Sequence, residues 1–195
     1  VPYYYFPTTK NFKKESINIG KNAYQLLYFG QIEDALNLAK LAVKIYKSDE
    51  KLWLILSEAQ IANELYEDAL ISLNKAEKLN SNIGEIYFTK STIFLKKDQL
   101  ENSRISLKKG LKIEPNNYKA IFQLGNIYLM EKNYSSAINS FNKAINVKPE
   151  FWQAMNNIAL AYFEQDQINK SIEFFQKTIK IEENAEPLLG LASSL

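Results

Sequence analysis

The sequence predicts an all-α solenoid built from antiparallel helix pairs, and two observations carry that prediction. A 34-residue pattern recurs five times between 16 and 185 without an inserted or deleted residue. Three columns of the pattern hold only small side chains: Ala23, Ser57, Ser91, Gly125, Ala159; then Ala35, Ala69, Ser103, Ala137, Ser171; then Ala42, Ala76, Gly110, Ala144, Thr178. Helices whose backbones approach closely need such residues at the crossing, because bulk there holds the axes apart. Units of this length stack on their neighbours, so the repeats predict one elongated array in which stability accumulates along the chain.

Residues 1–9 hold three tyrosines and a phenylalanine, with Pro2 and Pro7 among them, which predicts extended chain there, in an extended aromatic N-terminal segment, 1–15, that leads into the first helix. Thr8 or Thr9 caps that helix, which runs to about Phe29 and stops at Gly30. Helix pairs then follow at 16–29/32–46, 50–63/66–80, 84–96/100–113, 118–131/134–147 and 152–165/168–182, joined by polar turns such as Lys96, Lys97, Asp98. Large apolar columns keep the same period: Ile19, Trp53, Tyr87, Ile121, Met155, and Ala39, Leu73, Leu107, Phe141, Phe175. Pro115 and Pro149 close the third and fourth pairs, since proline ends one helix and sets up the next. The expected units are 16–49, 50–83, 84–117, 118–151 and 152–185, with 186–195 starting a sixth, capping helix.

The fourth unit carries Leu124, Gly125, Tyr128, Ala137, Phe141, Ala144 and Pro149, and on these residues the array resembles the tetratricopeptide repeat (TPR). Asn22 and Lys90 stand where that motif prefers leucine, and Gln60 where it prefers tyrosine. The resemblance implies a right-handed superhelix in which the first helix of each pair lines a concave, ligand-binding face. Transferred here, that face has two mainly apolar columns: Gly20, Leu54, Phe88, Phe122, Asn156, and Leu27, Ile61, Leu95, Leu129, Phe163. Between them lie polar residues that include Lys51, Glu58, Glu85, Thr92, Lys119, Gln123, Asn126 and Asn157. Apolar pockets accept side chains and amides pair with peptide backbone, so the expected ligand is an extended peptide or a partner helix. The expected peptide-binding residues are Tyr24, Leu54, Phe88, Thr92, Lys119, Phe122, Gln123, Asn126, Asn156, Asn157 and Phe163, with Phe88, Phe122 and Phe163 exposed. Asn126 and Asn157 match two asparagines of the TPR dicarboxylate clamp. Its basic residues are missing, because Phe122, Pro187 and Leu191 stand in their places.

Composition narrows the function classes. The 195 residues include no histidine and no cysteine, which removes the usual general base, thiolate metal sites and disulfides. With no glycine-rich phosphate loop and no converging pair of carboxylates, neither enzymatic activity nor a cofactor is expected. The net charge is +2 and Arg104 is the only arginine, so nucleic acid is not the expected partner. An RNA-binding helical repeat is the alternative that the cluster Lys108, Lys109, Lys112 offers. No apolar run reaches the ~18 to 20 residues that cross a bilayer, and mean hydropathy is −0.29, which suits a soluble, cytoplasmic chain with no direct membrane insertion. The chain begins at Val1 and ends at Leu195 inside an expected helix, which reads as a piece of a longer protein. Membrane tethering or export through an upstream leader is therefore the alternative location. The leading reading is a non-catalytic protein-interaction scaffold, an adaptor or assembly factor. Residues 29–43 and 184–195 are similar to TPR proteins of photosynthetic bacteria and plastids, which implies assembly of photosynthetic membrane complexes as an alternative. Self-association, as a homodimer through the solenoid ends, is another.

Overall fold

The structure is a computed structural model that describes residues 9–181, with side chains from Asn11 onward. The aromatic segment before Thr9 and the expected sixth helix at 186–195 lie outside the described residues. Among the described residues the elements are α1 Thr9–Tyr28, α2 Ile32–Ile45, α3 Glu50–Ala62, α4 Tyr66–Leu79, α5 Gly84–Lys96, α6 Leu100–Ile113, α7 Tyr118–Met130, α8 Tyr134–Val147, α9 Trp152–Phe163 and α10 Ile168–Ile181. The first helix opens at Thr9, one of the two residues expected to cap it.

Local chemistry sets the helix ends. Asp49, Asn117 and Asn133 precede α3, α7 and α8, and each side chain accepts a backbone N–H of the first turn, from Lys51, Ala120 and Ser136 respectively. Those donors would otherwise be orphaned. At the other end of each first helix the chain turns through a left-handed residue. Gly30 has φ of 75°, and the same position 34 residues on is Glu64, then Asp98, Lys132 and Asp166, with φ between 56° and 60°. The turn is closed by bonds from Gln31 N–H to the Leu26 carbonyl (2.9 Å), Leu65 to Gln60 (2.8 Å) and Asn133 to Tyr128 (2.8 Å). Only the first copy uses the residue that adopts this conformation without a Cβ clash. In the others, turn closure and packing hold a non-glycine residue there.

The chain divides into two compact units, Val1–Lys97 and Asp98–Leu195. In the first, α1 packs on α2, α3 on α4, α2 on α3 and α4 on α5, and α1 also touches α3. In the second, α7 pairs with α8 and α9 with α10, α6 lies against α7, and α8 against α9. Short connections between neighbours make the pairs antiparallel.

Every residue of the three small columns is buried. How closely the backbones meet is visible at Ser171 on α10, whose hydroxyl donates to the Ala159 carbonyl on α9 at 2.9 Å. Leu73, Leu107 and Phe141, one per repeat, fill the space between the crossings and are fully buried. Burying each removes it from water for about 1.5 to 3 kcal/mol. The large residues of the first helices also pin the links between pairs. The Trp53 indole donates to the Lys47 carbonyl at 2.8 Å, and one repeat later the Tyr87 hydroxyl donates to the Ser81 carbonyl at 3.2 Å.

Two departures from the TPR pattern are compensated in place. Gln60 is buried, and its amide oxygen accepts from the Ser72 hydroxyl of α4 at 2.7 Å. Lys90 is buried on α5, where its ammonium donates to Asn74 Oδ1 at 2.7 Å and pairs with Glu77, both on α4. A buried polar group is tolerated only with such partners.

Gly125 gives the sharpest test of the packing. A Cβ at this position would sit 2.5 Å from the ring of Phe141, which is fully buried and cannot withdraw. On an open helix face Gly→Ala gains about 1 kcal/mol from helix propensity. Here overpacking of about 1–3 kcal/mol outweighs it. Gly125→Ala is expected to lower the thermal midpoint, and Gly125→Ala with Phe141→Leu to recover part of the loss. A higher midpoint for the single variant would contradict the close crossing.

Candidate functional site

In the first unit, one face of α1 and one face of α3 meet beside the start of α5. Lys21, Tyr24 and Gln25 fall at helical spacing on α1, and Lys51, Leu54, Ile55 and Glu58 do so on α3. With Ile83 and Glu85 they line a cleft of about 620 Å³. Its floor is apolar: Leu54 is 7% exposed, and Ile55 and Ile83 are half-buried. Tyr24, 55% exposed, stands at its rim. A second cleft of about 310 Å³ continues from it, lined by Tyr24, Leu27, Tyr28, Glu58 and Ala62. Tyr28 is 83% exposed and meets Phe29 edge to face with ring centroids 5.5 Å apart.

Glu58 lines both clefts. It forms no hydrogen bond or ion pair with any described residue, although Lys21 and Lys51 lie along the same cleft. Burial, and secondarily the charge of Glu85, push its carboxyl up to about 7. A carboxylate held among apolar groups without a counter-charge prefers its neutral form.

In the second unit the face of α7 and α9 is organised by amides. Asn157 Nδ2 donates to Asn126 Oδ1 at 2.7 Å, which leaves the Asn126 amino group and the Asn157 carbonyl oxygen to pair outward. Lys119 is exposed and Gln123 half-buried on the same helix, and Phe163 is half-buried at the end of α9.

The expected site residues therefore separate. Tyr24 and Leu54 are brought together in the first-unit cleft. Phe88 and Thr92 sit on α5 outside its lining, half-buried, with the Thr92 hydroxyl donating to the Phe88 carbonyl at 3.2 Å. Phe122, expected as an exposed aromatic, is instead a packing residue. Its ring lies 4.9 Å from Phe151 and 5.5 Å from Phe141, joining α7 to α8 and to the link after it. Phe88 and Phe163 are likewise half-buried rather than exposed, and Asn156 is only 9% exposed. Leu27 and Ile61 pack against the first-unit core and Leu129 against that of the second. Sequence reasoning missed Lys21, Gln25, Ile55 and Ile83. The spacing of Lys21 and Gln25 from Tyr24, and the apolar residue immediately before α5, are the signals that could have found them. Arg104, the one arginine, is engaged by Glu101 and by Glu131 at 3.3 Å. No helix among the described residues is long and apolar enough to cross a membrane.

Comparison with known proteins agrees with this architecture. Family profiles described as tetratricopeptide repeat match residues 84–117 and 153–184, and another matches 106–139; a profile described as TPR repeat matches 125–166. Together they run without a gap from 84 to 184, more than half of the chain. The chain belongs to the tetratricopeptide repeat family. Among solved structures, a MamA protein is 23% identical with a TM-score of 0.77, covering 88% of this chain and 92% of that one. MamA from Desulfovibrio magneticus RS-1 is 21% identical with a TM-score of 0.79, covering 92% of this chain and all of its own. YrrB, described as a TPR protein with an unusual peptide-binding site, is 20% identical with a TM-score of 0.74 over 96% of this chain and 99% of that one. These likenesses show the fold, an all-α TPR solenoid. No curated protein matches the chain at the level of sequence.

The Glu58 carboxyl of this TPR array has a measurable signature. Because the Glu58 carboxyl titrates near 7 in the folded state, against about 4.3 in an unfolded chain, the native protein holds its proton more tightly. Its contribution is complete below pH ~4.3 and is lost as pH rises through 7. Its side chain still reaches water, so the loss is about 1–2 kcal/mol rather than the value for full burial. Glu58→Gln is expected to gain on wild type by that amount between pH 4 and pH 8, read from urea denaturation at each pH. A difference that does not change with pH would contradict the assigned environment.

Proposed function

We propose that this TPR array is a non-catalytic protein-interaction scaffold that binds a peptide or a partner helix on the face of its first helices, as an adaptor or assembly factor. The observation that carries this reading is the first-unit cleft, an apolar floor with an exposed tyrosine at its rim and polar groups around it. Ligand sites are concave, mostly apolar and dressed with a few placed polar groups. In the second unit the Asn126–Asn157 pair supports the same reading, since its outward donor and acceptor match the two bonding groups of a peptide unit.

The five units 16–49, 50–83, 84–117, 118–151 and 152–185 are the modules of this scaffold, each supplying one first helix. Within it, Tyr24 and Leu54 contact the ligand in the first unit. Lys119, Gln123, Asn126 and Asn157 do so in the second, with Phe88, Thr92 and Phe163 flanking. Phe122 and Asn156 act from beneath by fixing the helices. A protein ligand suits the charge pattern better than nucleic acid does, because the sole guanidinium is neutralised by two glutamates.

Selection from a random peptide library tests the proposal. Tyr24→Ala removes an exposed ring, so the fold should be retained while selected peptides bind about tenfold more weakly, as expected for an aromatic anchor. Asn157→Ala should weaken peptides held by the second unit. Selected peptides that bind wild type and both variants equally would place the site elsewhere.

A further inference from the structure

We propose that the first-unit cleft reads a basic side chain, so that the peptide it takes presents an arginine or lysine next to an apolar residue. This rests on the peptide-binding reading above and specifies its ligand. The apolar neighbour covers Leu54, Ile55 and Ile83, and the cation reaches inward to Glu58 with Glu85 beside it.

Three features converge on this chemistry. Glu58 is a half-buried carboxylate with no hydrogen bond or ion pair to any described residue, placed where the two clefts join. Tyr24 stands at the same junction and Tyr28 lines the second cleft with Glu58, both rings largely exposed. An aromatic face beside a carboxylate holds a guanidinium or ammonium through ring and charge together, while the aliphatic stem lies on apolar surface. The third feature is the local charge. Lys21 and Tyr24 with Tyr28 face Glu58 from α1, Lys51 from its own helix and Glu85 from α5. Neither lysine pairs with either carboxylate, and burial first, with repulsion from Glu85 second, raises the Glu58 carboxyl to about 7. An incoming cation relieves that repulsion, satisfies the unpaired carboxylate and displaces its proton. An anionic side chain placed at Glu58 would add to that repulsion. A neutral donor would relieve the desolvation and leave the repulsion.

The test is a random peptide library selected in parallel against wild type, Glu58→Gln and Glu85→Gln, followed by affinities of the best synthetic peptide at pH 6 and pH 8. Wild type is expected to enrich arginine or lysine at one position adjacent to an apolar residue, and either variant to lose that enrichment. The peptide should bind wild type about tenfold more tightly at pH 8 than at pH 6, following ionisation of a carboxyl near 7, with the dependence flattened in Glu58→Gln. Replacing the basic residue of the peptide by glutamine should cost a similar factor. Enrichment of peptides without a basic position, or the same basic position in wild type and both variants, overturns this inference and leaves the peptide-binding function standing. No enrichment of any peptide overturns both.

Discussion

Close backbone approach at the small-residue crossings is the constraint on which the rest of the structure depends. With all three columns buried in every repeat, adjacent helices meet with little side-chain bulk between them, and from the second repeat on one large residue per repeat fills the remaining gap. At Gly125 the approach is so tight that the Phe141 ring occupies the volume a Cβ would need. Dispersion and burial both scale with such contact, so each crossing stabilises its own pair and the next one, and the stack gains stability repeat by repeat. The spacing of the columns also dictates orientation. Once three positions per unit must face neighbours, the remaining faces of the first and second helices have fixed roles.

That fixed orientation is what makes the proposed binding face out of residues distant in sequence. The residues at positions 21, 24 and 25 lie one helix pair away from those at 51, 54, 55 and 58, yet they line one cleft because α1 and α3 touch. The same geometry brings Asn126 and Asn157 to 2.7 Å in the second unit. Polar groups inside the array are divided by whether they find partners. Lys90, Gln60 and Ser72 are paired across helices and serve the fold. Glu58 finds no such partner among the described residues, and an unpaired carboxylate in an apolar cleft costs stability that a ligand can return.

The helix pairs were legible because period and small columns are both properties of the sequence alone. The left-handed turns were not: Glu64, Asp98, Lys132 and Asp166 share a backbone conformation that their side chains do not advertise, and only Gly30 signals it. Site residues were legible by face and not by depth. Tyr24 and Leu54 reached the cleft, whereas Phe122 is half-buried against the core because Phe151, one repeat link away, packs on it, a contact that periodicity cannot show. Lys90 and Gln60 looked like motif failures in one dimension. Their partners Glu77 and Ser72 stand 13 and 12 residues away on the next-packed helix, so only the pairing of helices reveals the compensation. The charge state of Glu58 was hidden for the same reason, since it depends on burial and on Glu85 from another helix.

If packing at the small columns leaves the first helices of the first unit as the proposed recognition surface, a ligand must register on those helices. Mapping backbone amide NMR shifts while a selected peptide is titrated into the chain tests it most directly. Perturbations are expected to concentrate on α1, α3 and the start of α5, centred on Tyr24, Leu54 and Glu58, with α2 and α4 unmoved. Perturbations confined to α2 and α4 would contradict it.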